Sequence, residues 1–191
     1  MNLRDPNTWR TLSGRALDHQ LAEGHAIERE SIKGWVYRGI ALGLPRFVEA
    51  MTWINFAKTF THEDTGWNIR CEQHPLEQPS VYRRTKLDKP DIFGPYSLVD
   101  LDTTKCPRPC GPGLLIDYSL KGAASGPAAL PRDPLVAVFE GDSDYLLGWT
   151  YLDFGFTRMG TPSYFLLIRD RKLDHDWASV HLNNPWSGPG K

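Results

Sequence analysis

The sequence predicts a mostly β protein whose strands close into a small antiparallel barrel of about nine strands, with one or two helices near the N-terminus. Two observations carry that prediction. First, between Pro134 and Arg169 three apolar runs follow one another: PLVAVFE, DYLLGWTYLDF and SYFLLIRD. Only Asp142-Ser143 and a Thr-Arg-Met-Gly-Thr-Pro segment separate them. The middle run is apolar or aromatic on both faces, with Tyr145, Leu147, Trp149, Tyr151 and Asp153 alternating with Leu146, Gly148, Thr150, Leu152 and Phe154. A strand with two such faces is covered on both, one lining a closed interior and the other lying under a helix or loop. Second, short strand-like runs recur along the chain with turns rather than helices between them, the pattern of an antiparallel sandwich or barrel.

With 191 residues, the chain suits one domain with a core of its own: an arm over residues 1–13, a barrel domain over 14–172 and a tail over 173–191. A net charge of −1 gives no electrostatic case for nucleic acid or an anionic membrane as partner. The opening MNLRDPNTWRTL lacks the apolar stretch of a secretory signal, and no run approaches the roughly 20 apolar residues that span a bilayer. Three cysteines are too few for a disulfide framework. A reducing, cytoplasmic location is therefore expected. Seven Trp suit an aromatic-lined small-molecule pocket as well as a core. No sequence feature specifies an oligomeric state.

Taken in order, Ser13 is placed to cap a helix over Arg15–Glu30, where Leu17 and Leu21 share a face and Gly24 weakens the helix by about 1 kcal/mol relative to Ala; either one helix or two shorter ones result. KGWVYRG (33–39) reads as the first strand. Pro45 opens a second helix whose Phe47, Ala50, Met51 and Ile54 fall at the spacing of one buried face. NFAKTF (55–60) and WNIRCEQ (67–73) form a hairpin around a polar, Gly-containing turn. VYRRTKL (81–87), GPYSLVDL (94–101) and GLLIDYSL (113–120) are further strands. DTTKCPRPCGPG (102–113) is a turn, and residues 121–132 are a mobile Ala/Gly/Pro-rich loop.

Three places in this order of motifs resemble the bacterial GXWXG-type lipocalin-like proteins. They are GWVYRG (34–39), MTWINFAKTF (51–60) with HPL (74–76) downstream, and the C-terminal series LLIDYSL, the Asp133 segment, DYLLGWTYLDFG and SYFLLIRD. The likeness covers about residues 33–170. Tyr37 stands where Trp is expected if Gly39 closes the first motif. The resemblance implies a calycin- or lipocalin-like barrel and carries over no catalytic residues.

Such a barrel can hold one small ligand. The first expectation is thus a binding protein for a small, largely apolar molecule, with no cofactor. The aromatic lining falls to Tyr37, Trp53, Trp67, Tyr118 and Trp149, and Arg38, Lys58 and Arg70 are the cations that would hold a carboxylate on it. The second is a cofactor-free isomerase, cyclase or dehydratase using the same pocket, with Tyr151, Asp153 and Asp117 as acid or base. Tyr151 and Asp153 are two apart and share a face, and an Asp among aromatics has a raised pKa. The plain alternative is that each of these groups faces solvent or satisfies a neighbour. The third is a structural module docking a partner through outward aromatics such as Trp177 and Trp186. No metal site is expected: Cys106-Pro-Arg-Pro-Cys110 has no second pair, and His19, His25, His62, His74, His175 and His181 are scattered. Nucleophile-elbow, Walker and dinucleotide motifs are absent.

Overall fold

A computed structural model describes residues 2–43, 55–73, 78, 80–86, 88–119 and 126–174. The expected helix over 45–54, with Trp53, lies outside the described residues, as do His74, His175, His181, Trp177 and Trp186.

Eight antiparallel strands form a closed barrel in which each strand bonds to its neighbours in sequence and β8 returns to β1. They are β1 (Trp35–Leu42), β2 (Asn55–Phe60), β3 (Thr65–Arg70), β4 (Ile92–Asp100), β5 (Leu114–Asp117), β6 (Pro131–Phe139), β7 (Asp142–Asp153) and β8 (Arg158–Lys172). Closure runs from Trp35 opposite Lys172 to Leu42 opposite Tyr164, which leaves no exposed sheet edge. The difference from the expected nine is the 81–87 run. Its described residues make isolated bridges, Cys71 to Tyr82 and Arg84 to Pro90, with main-chain bonds from Glu72 N to Val81 O and from Arg83 N to Arg70 O at the end of β3. Two separators also shift. The β6–β7 turn is at Glu140-Gly141, with Gly141 at φ +69°, and most of the Thr157–Pro162 segment belongs to β8.

Three helices precede the barrel: α1 (Pro6–Arg10), α2 (Gly14–Ala22) and α3 (Arg29–Ile32). Of the two readings of 15–30, the structure has the two shorter helices, separated by a stretch that contains Gly24. Ser13 caps α2, its hydroxyl accepting from Ala16 N at 3.3 Å. Within residues 2–13, side chains hold the segment to the barrel. Asp5 caps α1 through Asn7 N at 2.9 Å, and Trp9 is 1% exposed, its indole N–H donating to Leu3 O at 2.8 Å. One buried Trp anchors this segment, because its apolar area outweighs the cost of ordering a few residues.

Strand alternation sorts the side chains into an interior and two outer clusters. Trp9, Leu17 and Leu21 pack on Ile40, Leu42, Leu147, Trp149, Tyr151, Tyr164 and Leu166 of the outer wall. Val36, Ala57, Trp67, Ile69 and Cys71 form a second outer cluster with Tyr82 packed on it. Inside, Tyr37, Phe60, Tyr96, Leu98, Leu114, Ile116, Leu135, Leu146 and Leu167 fill one half of the barrel, and Ile27 and Ile32 plug that end. β7 is therefore covered on both faces, its odd-numbered residues under α1 and α2 and its even-numbered ones in the lumen. Among the described residues no helix is long and apolar enough to cross a membrane.

Candidate functional site

The other half of the lumen is open. A cavity of about 550 Å³ lies at the end formed by Ala41 of β1, Phe56 of β2, Gly94 of β4, Pro131 of β6 and Ser163 of β8. That volume falls in the range of small-molecule sites. Phe56, Phe93 and Phe165 are among the apolar residues that line it. Two glycines seat two of these rings. A Cβ on Gly39 would stand 2.3 Å from the Phe56 ring, and one on Gly148 would stand 2.1 Å from that of Phe165. Because both positions are bare, the rings lie flat on neighbouring strands and meet edge to face, 6.0 Å apart.

One polar network crosses this apolar lumen. Lys58, between Phe56 and Phe60 on the inner face of β2, donates from Nζ to Asn68 Oδ1 at 2.8 Å and to the Tyr118 hydroxyl at 2.5 Å; it lies 3.3 Å from Asp133 Oδ2. Tyr118 in turn donates to Asp133 Oδ2 at 3.0 Å, and Thr150 donates to Asp133 Oδ1 at 2.7 Å. Asn68 is directly opposite Lys58 in the β2–β3 register. Its amide is oriented by Gly94 O at 3.0 Å, a carbonyl carried by a residue at φ +50°. Rings of Phe56, Tyr96, Tyr118 and Phe165 surround the ammonium at 5.1–5.7 Å.

Lys58 and Asp133 are the only buried charged residues among those described, and the only charged residues in the described lining of the cavity. Burial pushes the Lys58 ammonium below the ordinary lysine range, and the attraction of Asp133 recovers only part of that. Burial, with the Asp133 charge next, holds the Tyr118 hydroxyl protonated far above its ordinary pKa. The result is an amine that deprotonates readily, a phenol that stays protonated, and a carboxylate, all in hydrogen-bond contact.

Of the residues singled out from sequence, the structure brings Lys58 and Tyr118 together in the cavity. Tyr37 is interior but lies in the packed half, stacked edge-on against Phe60 and donating to Ser143 O at 2.7 Å. Arg38 points outward and donates to Gln78 O, and Trp67 lies in the second outer cluster. Arg70, near the mouth, pairs with Asp91 at 2.7 Å and lies over Phe93. Trp149 and Tyr151 face outward, stacked at 5.8 Å, and burial pushes the Tyr151 hydroxyl up to about 12. Asp153 does share the face of Tyr151, but that face is the outer one. Its partial burial is outweighed by the Gly155 N–H and by Arg158 at 3.2 Å, so its pKa falls instead of rising. Asp117 also faces out, capping Ser119 and pairing with Arg132 at 3.2 Å. Among the described residues no cluster of His, Cys, Asp and Glu is arranged to hold a metal. Asn68, Asp133 and Thr150 were not singled out, although a Lys set between two Phe residues on one strand face calls for a buried acid.

No protein-family model, curated protein or solved structure matches this chain.

Proposed function

We propose that this is a calycin-like binding protein that holds a small, neutral, largely apolar molecule in the open half of its barrel, with one carbonyl or hydroxyl of the ligand directed at the Lys58–Tyr118–Asp133 network. The carrying observation is charge balance. The described lining brings one cation and one anion, already paired at 3.3 Å, into an otherwise apolar cavity. A ligand carboxylate would add a second anion to a site with one cation and compete with Asp133 for it. A neutral acceptor would take a hydrogen bond from Lys58 or Tyr118 with no new charge to desolvate. The carboxylate-bearing ligand expected from Arg38, Lys58 and Arg70 is thereby narrowed, because neither arginine lines the cavity.

The test is a titration with the neutral dye Nile red, followed by displacement. Dodecanol should displace the dye more readily than dodecanoate. Ala41→Phe, which fills the cavity from β1, should weaken dye binding about tenfold or more while leaving the protein folded. Equal dye binding by Ala41→Phe would overturn the reading.

A second reading is favoured by one contact. The Tyr118 hydroxyl accepts from Lys58 and donates to Asp133, so a proton can pass between amine and carboxylate through it. In a cofactor-free isomerase or lyase this chain, rather than Tyr151 and Asp153, would move the proton.

A further inference from the structure

The place of Lys58 in the cavity specifies the ligand group further. We propose that Lys58 captures an aldehyde or ketone of an apolar ligand as a reversible imine on Nζ. The inference rests on the cavity being a ligand site. Three observations lead to it. Lys58 is among the residues that line the cavity. Its ammonium is encircled by four aromatic rings. A hydroxyl and a carboxylate stand within reach to move the protons that imine formation requires, at 2.5 Å and 3.3 Å. A buried ion pair adds little to stability compared with apolar packing, so a structural role alone gives no reason to place one in the lining of an apolar cavity. A desolvated lysine is the amine suited to nucleophilic attack on a carbonyl.

The step balances within the site. Nζ passes one proton through Tyr118 to Asp133 and attacks the carbonyl carbon. The C–N bond forms as the carbonyl π pair moves to oxygen, which takes a proton from Tyr118, itself resupplied by Asp133. The nitrogen lone pair then expels that hydroxyl, which leaves as water with a second proton relayed from the amine through the same two groups. Ammonium and carbonyl become protonated imine and water, with no change in charge. The imine inherits both the Asp133 carboxylate and the aromatic cage that held the ammonium. Asn68, opposite on β3, loses one donor and remains oriented by Gly94. No oxidant or reductant is needed, and hydrolysis reverses the step.

The experiment treats the full chain with β-naphthaldehyde and sodium cyanoborohydride near neutral pH, where surface lysines are protonated, and maps the reduced adduct by peptide mass spectrometry. The expected result is one adduct, on Lys58, suppressed by prior β-naphthylmethanol, which fills the cavity but has no carbonyl. Lys58→Arg, which keeps the charge, and the paired change Lys58→Met with Asp133→Asn, which removes it without stranding an acid, should both lose the adduct. Tyr118→Phe should slow trapping by about a hundredfold, the scale of one acid–base group, and should weaken β-naphthylmethanol binding much less. Label scattered over surface lysines with Lys58 unmodified overturns the imine. If β-naphthylmethanol still displaces Nile red in that case, the binding site stands and only the covalent step falls. If it does not, both fall.

Discussion

A cation, a tyrosine and an aspartate meet on each side of the barrel wall. Inside, Lys58, Tyr118 and Asp133 make contacts of 2.5, 3.0 and 3.3 Å. Outside, Arg108, Tyr164 and Asp18 make contacts of 2.6, 2.5 and 3.1 Å, with the guanidinium 4.9 Å over Trp149. The distances are alike, although the cation is an ammonium inside and a guanidinium outside. Access to water differs: the charged side chains are 3% and 5% exposed inside, against 36% and 42% outside. The outer trio joins the Cys106–Cys110 loop to α2 and β8 and is a fastening. The inner trio joins no loose segment. It crosses a lumen that apolar side chains would fill more favourably, and this is why it reads as equipment for a ligand.

The largest expected effect breaks that comparison by removing one acid from each trio. Asp133→Ala leaves an ammonium stranded in an aromatic cage and should lower unfolding free energy by about 3–5 kcal/mol. Asp18→Ala leaves Arg108 to water and should cost about 1 kcal/mol or less. Chemical denaturation of the two variants measures both. Replacing the whole inner pair, Lys58→Met with Asp133→Leu, should restore most of the stability lost in Asp133→Ala while removing the polar end of the cavity. A large loss in Asp18→Ala, or a small one in Asp133→Ala, would mean that exposure does not divide the two trios.

A smaller effect is expected from the glycine that shapes the inner site. Gly148→Ala sets a methyl against the Phe165 ring, and the ring must shift into the cavity or away from Lys58. Overpacking of this kind costs about 1–3 kcal/mol, and Nile red binding should fall with it. A glycine outside both trios gives the control. Gly155, in the β7–β8 turn, has open space around it, so a substitution there acts only through its positive φ of +82° and should leave dye binding unchanged.

The same comparison explains what was legible in the sequence. Alternation along PLVAVFE and DYLLGWTYLDF announced a wall covered on both sides, and the run of hairpins announced the closed antiparallel sheet. Parity does not say which face is inside. Tyr151 and Asp153 share a face as expected, yet that face is the outer one, while Thr150, next to Tyr151 on the other face, reaches the network. Lys58 stood out as a cation for a ligand carboxylate and Tyr118 as an aromatic of the lining. Asp133 sits between Arg132 and Pro134 at a strand start, where an acid looks like turn chemistry, and its partner is 75 residues away. Only closure of the barrel brings them together. The helical segment around Trp9 was hidden for a related reason: its polar, turn-rich neighbours describe a loop, and one indole buried against the outer wall outweighs them.

The finest distinction is the response to alkali, where Lys58 of the inner trio and Tyr164 of the outer one act in opposite directions. Lys58 has a folded pKa below its unfolded value near 10.5. Between those values the unfolded chain binds the extra proton, so stability rises with pH through that window and the contribution is complete above about 10.5. Tyr164 is raised from 10.0 to about 12 by burial and by its bond to Asp18. There the native state holds the extra proton, so stability falls as pH rises above 10. The wild type should therefore climb in stability on the approach to pH 10 and decline beyond it. Lys58→Met with Asp133→Leu should flatten the climb and keep the decline. Tyr164→Phe should keep the climb and soften the decline, only in part, because Tyr96 and Tyr118 are also raised by burial. Unfolding midpoints in urea, measured from pH 8 to 11 on the three proteins, separate these limbs, and a climb that survives loss of Lys58 would assign it to another group and place the Lys58 ammonium in an environment no different from that of Arg108.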